Sequence, residues 1–246
     1  MTSTSVLKAL QLLDAFRGVS DLVGVSEIAR LSGIHKSTAF RLLATLEHGE
    51  FVERVGTKYR LTLRVFELGN RVGVCAPKGL REVALPHLTD LYASTGRAVH
   101  MGLLAEGDVV YLEKIHGSKT ALLPSAVGGR LPANCSALGK ILMAFSSKET
   151  VEQILSAPLN RLTSYSIVEP ARLIRQLHQA QEEGFSSDLE ESAQGLACVA
   201  APIIVAGKLV AAISVSGPTH GFHARNLSLT LRKTAQQISL AMSTID

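Results

Sequence analysis

The segment SEIARLSGIHKSTAFRLLATLEHGEFVER, residues 26–54, constrains the fold more strongly than any other part of the chain. A short helix that starts at an N-cap serine, Ser26, is interrupted by Gly33, and a second helix begins near His35 and runs to about Glu47. Serine favours the N-cap because its side chain accepts a first-turn N–H. Two helices joined by a short glycine-containing turn are typical of a helix-turn-helix.

The second helix carries an apolar face and a polar face. At 100° per residue, Ala39, Leu42 and Leu43 share one stripe, which predicts a buried face. The N-terminal end of the other face is basic and rich in hydroxyl groups, and a helix N-terminus favours anions. Such side chains can bond phosphates or base edges in the major groove. We predict DNA contacts from Lys36, Ser37, Thr38, Phe40, Arg41 and Thr45.

A basic hairpin follows the two helices. Residues 51–61, FVERVGTKYRL, alternate in polarity and turn at Gly56, which predicts two antiparallel strands. The formal net charge of the chain is only +4, but residues 1–74 hold ten Lys/Arg against seven Asp/Glu. A local basic excess favours a polyanion partner, although a polar helix face is often merely solvated. We expect double-stranded DNA as the partner, with the wing contacting phosphates through Arg54, Lys58 and Arg60.

The remaining periodicities predict a two-part α+β chain. A helix over residues 5–17 precedes the helix pair, another is capped by Thr62 and runs to about Val74, and CAPKG at 75–79 indicates a boundary. Closely spaced strands favour an antiparallel sheet. Strands are predicted at 98–104, 109–115, 198–205 and 209–216, and helices at 137–145, 149–156, 170–183 and from about 225. The segment 124–135 reads as irregular.

Two features of the second part suggest a binding pocket. Ser136 caps an apolar helix, so the N–H groups of Ala137 and Leu138 could hold a carboxylate. Ser214 and Ser216 lie on one face of an apolar strand, where a buried hydroxyl needs a partner. Each feature also has a purely structural explanation, because most helix caps and buried hydroxyls serve packing alone.

An acidic loop, DLEESAQGLAC, precedes the first of the two apolar strands and is bracketed by Asp188 and Cys198. Acidic loops are usually solvated, and buried lone cysteines usually pack without reacting. The alternative that remains open is a thiol enzyme or redox sensor using Cys198 or Cys135. Against it, a neighbouring carboxylate raises the pKa of a thiol.

Several motifs together resemble the isocitrate lyase regulator (IclR) family of bacterial transcription factors. They are SVLKALQLLDAF, the segment 26–54, KYRLTLRVFELG, LPANCSALGKILMAF, and the run from DLEESAQGLAC to VAAISVSGP. The resemblance spans about residues 5–220 in order. It implies a winged helix-turn-helix DNA-binding domain over 1–61, a linker helix over 62–78, and a GAF-like effector-binding domain over 79–246. Two residues depart from the family pattern: His35 stands where proline is common, and Asn134 stands where histidine is common.

The resemblance also implies a function. The family consists of transcriptional regulators that bind a palindromic operator as a homodimer or homotetramer and respond to a small-molecule acid. By residue-to-residue correspondence, the effector site would consist of Leu123, Leu131, Ala137, Leu138, Asp188, Leu196, Cys198, Ser214 and Ser216. In this site, backbone N–H groups would hold the carboxylate and Asp188 would accept a bond from a ligand hydroxyl.

No catalytic or metal-binding motif accompanies these features. The histidines, His100 and His116 among them, form no HExxH or Cys/His cluster, and the three cysteines lack CxxC spacing. We therefore expect no enzyme activity, no cofactor and no metal. The N-terminus lacks a signal peptide, and the apolar run 196–216 is interrupted by Pro202 and Gly207, which favours two strands over a membrane helix. We expect a cytoplasmic protein without membrane contact.

Overall fold

The computed structural model describes residues 4–17, 21–76, 78–117 and 125–244. The chain divides into two compact units, Met1–Ala76 and Pro77–Asp246. Each unit is described by itself below. The threefold division predicted from the sequence, in which residues 62–78 form a separate linker, stays a prediction.

The first unit is a three-helix core with a small sheet. Its elements are α1 (Ser5–Asp14), β1 (Val23–Gly24), α2 (Val25–Ser32), α3 (Lys36–His48), β2 (Val52–Val55), β3 (Lys58–Leu61) and α4 (Leu63–Gly69). The strands pair antiparallel in the order β1-β3-β2. Helices α1, α2 and α3 enclose a core that includes Leu12, Ile28, Leu43, Val52 and Tyr59. This arrangement is a winged helix-turn-helix, as predicted.

Three helix ends differ from the prediction. Helix α1 ends at Asp14, not near residue 17. Helix α2 begins two residues earlier than expected, with Gly24 rather than Ser26 as the N-cap, because strand β1 leads directly into the helix. Helix α4 ends at Gly69, not near Val74. By contrast, Gly33 terminates α2 as expected: it adopts φ +66°, a left-handed conformation that glycine reaches without steric cost.

The second unit is an antiparallel sheet covered by helices on both faces, which confirms the predicted α+β class. Its elements are α5 (Leu80–Thr95), β4 (Ala98–Ala105), β5 (Asp108–Ile115), β6 (Arg130–Pro132), α6 (Ala137–Ala144), α7 (Lys148–Leu155), α8 (Pro170–Glu183), β7 (Ser186–Leu189), β8 (Leu196–Val205), β9 (Lys208–Pro218) and α9 (Ala224–Ser243). The strand order is β6-β5-β4-β9-β8-β7. Strands β6 and β7 were not predicted, because they are short edge strands in segments that read as irregular or acidic loops.

The apolar run 196–216 forms β8 and most of β9, as expected from Pro202 and Gly207. Within the described residues, no helix is long and apolar enough to cross a membrane. Both strands are central in the sheet and therefore apolar on both faces. One face packs against α5 and α9, and the other packs against α6 and α8.

Strand register brings the polar side chains of the second face together. Cys198 pairs with Ser216 across β8 and β9, and Asp188 pairs with Cys198 across β7 and β8. In the next row, His100 of β4 pairs with Ser214. Cross-strand partners point to the same face of a sheet, so these side chains lie beneath the N-terminus of α6.

Candidate DNA-binding surface and ligand cavity

The outward face of α3 presents the residues predicted for DNA contact. Lys36, Ser37, Arg41 and Thr45 are exposed, as is Phe40, an aromatic side chain with 49% of its surface in solvent. Thr38 is half-buried, so it is the least accessible residue of the set. The opposite stripe, formed by Ala39, Leu42 and Leu43, is buried in the core of the unit.

The start of α3 is open to an anion. The N-cap residue is His35, whose side chain makes no capping bond to the helix backbone. Its Nδ1 lies 2.9 Å from the Oγ of Ser37 instead. The first-turn N–H groups of α3 are therefore left without a side-chain cap, which is the arrangement that binds phosphate at helix N-termini.

The wing between β2 and β3 is less uniformly basic than the sequence suggests. The Nε of Arg54 donates to the carbonyl of Gly56 in the turn, and Lys58 is exposed. Arg60 is half-buried and bonds the Oε1 of Glu53 at 2.5 Å. Because this carboxylate already compensates the charge of Arg60, Arg54 and Lys58 are the stronger candidates for phosphate contact.

The second unit contains a small cavity beneath the start of α6. Its volume is about 20 Å³, roughly the room that one water molecule needs. Seven of the residues predicted for the effector site line it: Leu131, Ala137, Leu138, Leu196, Cys198, Ser214 and Ser216. Leu123 lies outside the described residues. Five further described residues line it: His100, Tyr111, Ser125, Ser136 and Ser192.

Asp188 lies behind the cavity wall and not in it. The residue is buried, its Oδ1 accepts the N–H of Glu191 at 2.7 Å, and its Oδ2 accepts the hydroxyl of Ser192 at 2.6 Å. Its two strongest bonds therefore shape the loop after β7 and place Ser192 in the lining. This differs from the direct ligand contact expected from the sequence, which had no way to show that the loop folds back onto its own aspartate.

Helix α6 points its N-terminus into the cavity. The hydroxyl of Ser136 accepts the N–H of Gly139 at 3.0 Å, which confirms the predicted cap. The N–H groups of Ala137 and Leu138 precede the first intrahelical bond and belong to residues that line the cavity. The helix can start this close to the preceding turn only because residue 139 is glycine, since a Cβ there would overlap the carbonyl oxygen of Ala133.

The far wall of the cavity is aromatic and neutral. His100 and Tyr111 pack edge to face with ring centroids 5.5 Å apart, and the Nε2 of His100 lies 2.8 Å from the Oγ of Ser125. Burial lowers the pKa of His100 to about 3, with Lys114 contributing further. Burial also raises the pKa of Tyr111. At neutral pH both rings are uncharged, so they can recognise a ligand by hydrogen bonds and shape.

Comparison with known proteins shows which protein family has both of these domains. The family model for the IclR helix-turn-helix domain matches residues 5–56, and the model for the C-terminal domain of the bacterial transcriptional regulator IclR matches residues 73–240. The chain belongs to the IclR family. It is therefore a transcriptional regulator with a helix-turn-helix for DNA binding and a C-terminal effector domain.

Curated relatives and solved structures of IclR proteins match over most of the chain. The HTH-type transcriptional regulator XynR of Escherichia coli K12 is 33% identical over 97% of this chain and 95% of its own. KdgR of Dickeya chrysanthemi is 34% identical over 91% of this chain and 73% of its own. An IclR homologue from Microbacterium hydrocarbonoxydans, solved with 4-hydroxybenzoate, has a TM-score of 0.89 at 26% identity and covers 98% of this chain and 100% of its own.

The two departures from the IclR pattern have different consequences. His35 still serves as the N-cap residue of α3, so this helix begins where it was predicted. Asn134 is not among the described residues that line the cavity. Its Nδ2 instead donates to the carbonyls of Asn160 and Ile167 and holds the chain between α7 and α8.

The structure does not support the thiol alternative. Cys198 and Cys135 are buried, and burial raises the pKa of both thiols. Neighbouring Asp188 raises the pKa of Cys198 further. Both side chains are therefore protonated and weakly nucleophilic at neutral pH. Within the described ranges, no group of three or more His, Cys, Asp or Glu side chains is arranged to hold a metal ion.

Proposed function

We propose that this IclR regulator binds a palindromic operator in double-stranded DNA as a homodimer, acts in the cytoplasm, and has no enzyme activity. The observation that carries the DNA proposal is the exposed face of α3, with its uncapped first turn beside Lys36 and with Arg41 one turn later. The helix N-terminus would face a phosphate, and Arg41 would donate to a guanine or a phosphate. Arg54 and Lys58 would follow the backbone from the wing.

Exposed apolar side chains in the first unit support dimerisation. Leu63 and Phe66 of α4 expose 76% and 64% of their surfaces, and Val6 and Leu10 of α1 are also exposed. Large apolar side chains exposed on both helices support an interaction surface there. A dimer related by a twofold axis would present two α3 helices to two half-sites, which is why a palindrome is expected. A homotetramer, formed by pairing two such dimers, is the alternative assembly.

We propose further that the effector is a small organic acid bound in the cavity beneath α6. The N–H groups of Ala137 and Leu138 would hold its carboxylate, and the hydroxyls of Ser214 and Ser216 would complete the polar contacts. The presence of 4-hydroxybenzoate in a related structure supports an acid of this size. Because the cavity of about 20 Å³ cannot hold such a molecule, binding must open it. Ligand binding would thereby favour a different arrangement of the effector domain.

The DNA proposal is tested by selecting bound fragments from sheared genomic DNA with wild type, Arg41→Ala and Arg161→Ala. Arg161 is an exposed arginine of the second unit and serves as the matched control. Wild type and the control should enrich the same short palindrome, and Arg41→Ala should not, while circular dichroism shows an unchanged fold. Retained sequence preference in Arg41→Ala would overturn the recognition-helix assignment.

The effector proposal is tested by titration calorimetry with a panel of small acids that includes 4-hydroxybenzoate. Ser216→Ala should weaken acid binding at least tenfold without changing operator affinity in the absence of ligand. The exposed Ser164 provides the control, Ser164→Ala, in which both affinities should be unchanged. Equal acid affinity in wild type and Ser216→Ala would place the acid elsewhere.

A further inference from the structure

The effector domain also contains a second cavity, a cleft that is larger than the effector cavity. This cleft has a volume of about 520 Å³, within the range of small-molecule sites, and none of its described lining residues also lines the effector cavity. It lies between the β4–β5 turn, the second half of α6, and α7 with the chain that follows it. Its apolar floor consists of Leu103, Leu104, Leu142, Ile154, Leu159 and Leu209.

One rim of the cleft is acidic. Glu106 lies in the β4–β5 turn, Asp108 is the first residue of β5, and both line the cleft. Among the described residues the lining includes no Lys, Arg or His. The Nη1 of Arg130 lies 3.1 Å from Glu106 Oε2 and 3.6 Å from Asp108 Oδ2. One guanidinium cannot neutralise two carboxylates, so the rim keeps a net negative charge that favours a cation and disfavours an organic anion.

The deeper wall of the cleft presents a hydrogen-bond acceptor. Asn134 is 3% exposed, and its Nδ2 donates to the carbonyls of Asn160 at 2.8 Å and Ile167 at 3.0 Å. These two bonds fix the orientation of the amide, and no bond to its Oδ1 is found within the described ranges. This oxygen is not among the fully enclosed unpaired atoms of those residues. Asn134 itself lines the cleft, so a ligand donor within reach of this oxygen could satisfy it.

Both walls are held in place before any ligand arrives. The carbonyl of Gly107 in the acidic turn accepts the N–H of Ala133 at 3.0 Å. The Sγ of Cys135 donates to the carbonyl of Asn160 at 3.2 Å, beside the bond from Asn134. The three-residue turn 133–135 thus ties the acidic turn to the segment after α7. A preorganised site loses little free energy to ordering when it binds.

We propose that this cleft is a second ligand site, and that it takes an organic amine with a short apolar body and a further donor group. The ammonium would lie against Glu106 and Asp108, the apolar body would cover the leucine and isoleucine floor, and the further donor would bond the Oδ1 of Asn134. The site selects against acids of the kind proposed for the effector cavity, because its charged rim has the opposite preference.

The same segment connects the two sites. Asn134 lines the cleft, and Ser136, Ala137 and Leu138 line the effector cavity. A ligand that clamps the turn 133–135 changes the freedom of the α6 N-terminus to move as the effector cavity opens. This coupling rests on the proposed effector function. Any coupling free energy must be reciprocal, so amine and acid would alter each other's affinity by the same factor.

Calorimetry with the full chain tests the site with three probes of similar shape: tyramine, its neutral alcohol analogue tyrosol, and 4-hydroxyphenylacetate. Tyramine should bind at least tenfold more tightly than tyrosol. Asp108→Asn should weaken tyramine at least fivefold, and Ile154→Trp, which fills the floor, should abolish its binding. Glu152→Gln, the same kind of change at an exposed position of α7 outside the cleft, should have no effect.

Two outcomes overturn the proposal: tyramine fails to bind wild type, or it binds Asp108→Asn as tightly as wild type. Asp108→Asn keeps the test decisive if Ile154→Trp does not fold. Failure of the amine site is separable from failure of the effector site, because Ser216→Ala should weaken acids while leaving tyramine affinity unchanged.

Discussion

Replacement of Lys140 by methionine should be among the most destabilising single changes in the effector domain. The side chain of Lys140 is 1% exposed, and its Nζ donates to Glu191 Oε1 at 2.6 Å and to Gln176 Oε1 at 2.8 Å. Coulomb's law at an effective dielectric constant of about 20 gives ~6 kcal/mol for two charges at the separation of this pair. Much of that attraction offsets the loss of hydration of the two buried ions.

The cost of Lys140→Met comes from the carboxylate that is left behind. Glu191 Oε2 already has no hydrogen-bond partner among the described residues, so removing the ammonium leaves a buried carboxylate without its counterion. Breaking a buried pair by removing one partner costs about 3–5 kcal/mol in the free energy of unfolding. Replacing both, as in Lys140→Met with Glu191→Leu, should recover most of this loss, because no unpaired charge stays buried.

The loss of stability in Lys140→Met should depend on pH in a defined direction. Burial raises the pKa of Glu191, and Lys140 opposes that shift. Without Lys140 the folded-state pKa rises further above the unfolded value of about 4.3. A raised carboxyl pKa favours the folded state at low pH and loses that benefit as pH rises through the folded pKa. The difference from wild type should therefore be larger at pH 8 than at pH 5.

Urea denaturation followed by circular dichroism at pH 5 and pH 8 measures these differences. The control is Lys148→Met, which removes an exposed lysine whose Nζ lies 3.5 Å from Glu152 one turn along α7. That variant should unfold like wild type, since exposed pairs contribute little. A destabilisation below about 1 kcal/mol for Lys140→Met at pH 8, or one that grows at pH 5, would refute the reasoning.

Three further predictions follow from the same interior. The folded-state pKa of His100 is about 3, so the unfolded chain binds an extra proton below pH 6.5 and the free energy of unfolding should fall there by about 1.4 kcal/mol per pH unit. His100→Gln should flatten that slope in urea denaturation between pH 7 and 4. An unchanged slope would contradict the assignment. Gly139→Ala should cost about 3 kcal/mol in the same assay because its Cβ overlaps a backbone carbonyl, whereas Gly73→Ala, with open space around it, should be tolerated. Iodoacetamide at pH 8 should modify the partly exposed Cys75 long before Cys198, whose pKa is raised by burial. Mass spectrometry of the folded protein measures this order, and it would show the opposite order if the Cys198 thiol were reactive.

Local patterns in the sequence were sufficient to place most elements. The apolar stripe of α3, the left-handed turn at Gly33 and the serine cap at Ser136 depend on residues within one or two helical turns of each other. Their physical causes are helix periodicity, backbone sterics and a single hydrogen bond, all of which can be read along the chain. The same holds for β8 and β9, whose apolar runs meet at a glycine turn.

Edge strands and helix ends were harder to predict for a physical reason. Strand β7 reads as part of an acidic loop, and it forms because β8 offers a free edge for it to pair with. The early start of α2 depends on β1, which in turn depends on pairing with β3, far along the chain. A short segment has little preference of its own, so the partner that pairs with it decides its conformation.

The sequence by itself determined that the chain has a helix-turn-helix and which face of α3 is exposed, because those features are periodic and local, and its motifs already resembled the IclR family. Tertiary structure alone decided where the carboxylates act: Asp188 holds a loop, Glu191 pairs with Lys140, and Glu106 and Asp108 form the rim of a cleft. The reason is that burial and pairing depend on residues distant in sequence. The sequence shows an acid's identity, whereas the fold determines whether it meets water, a counterion or a ligand.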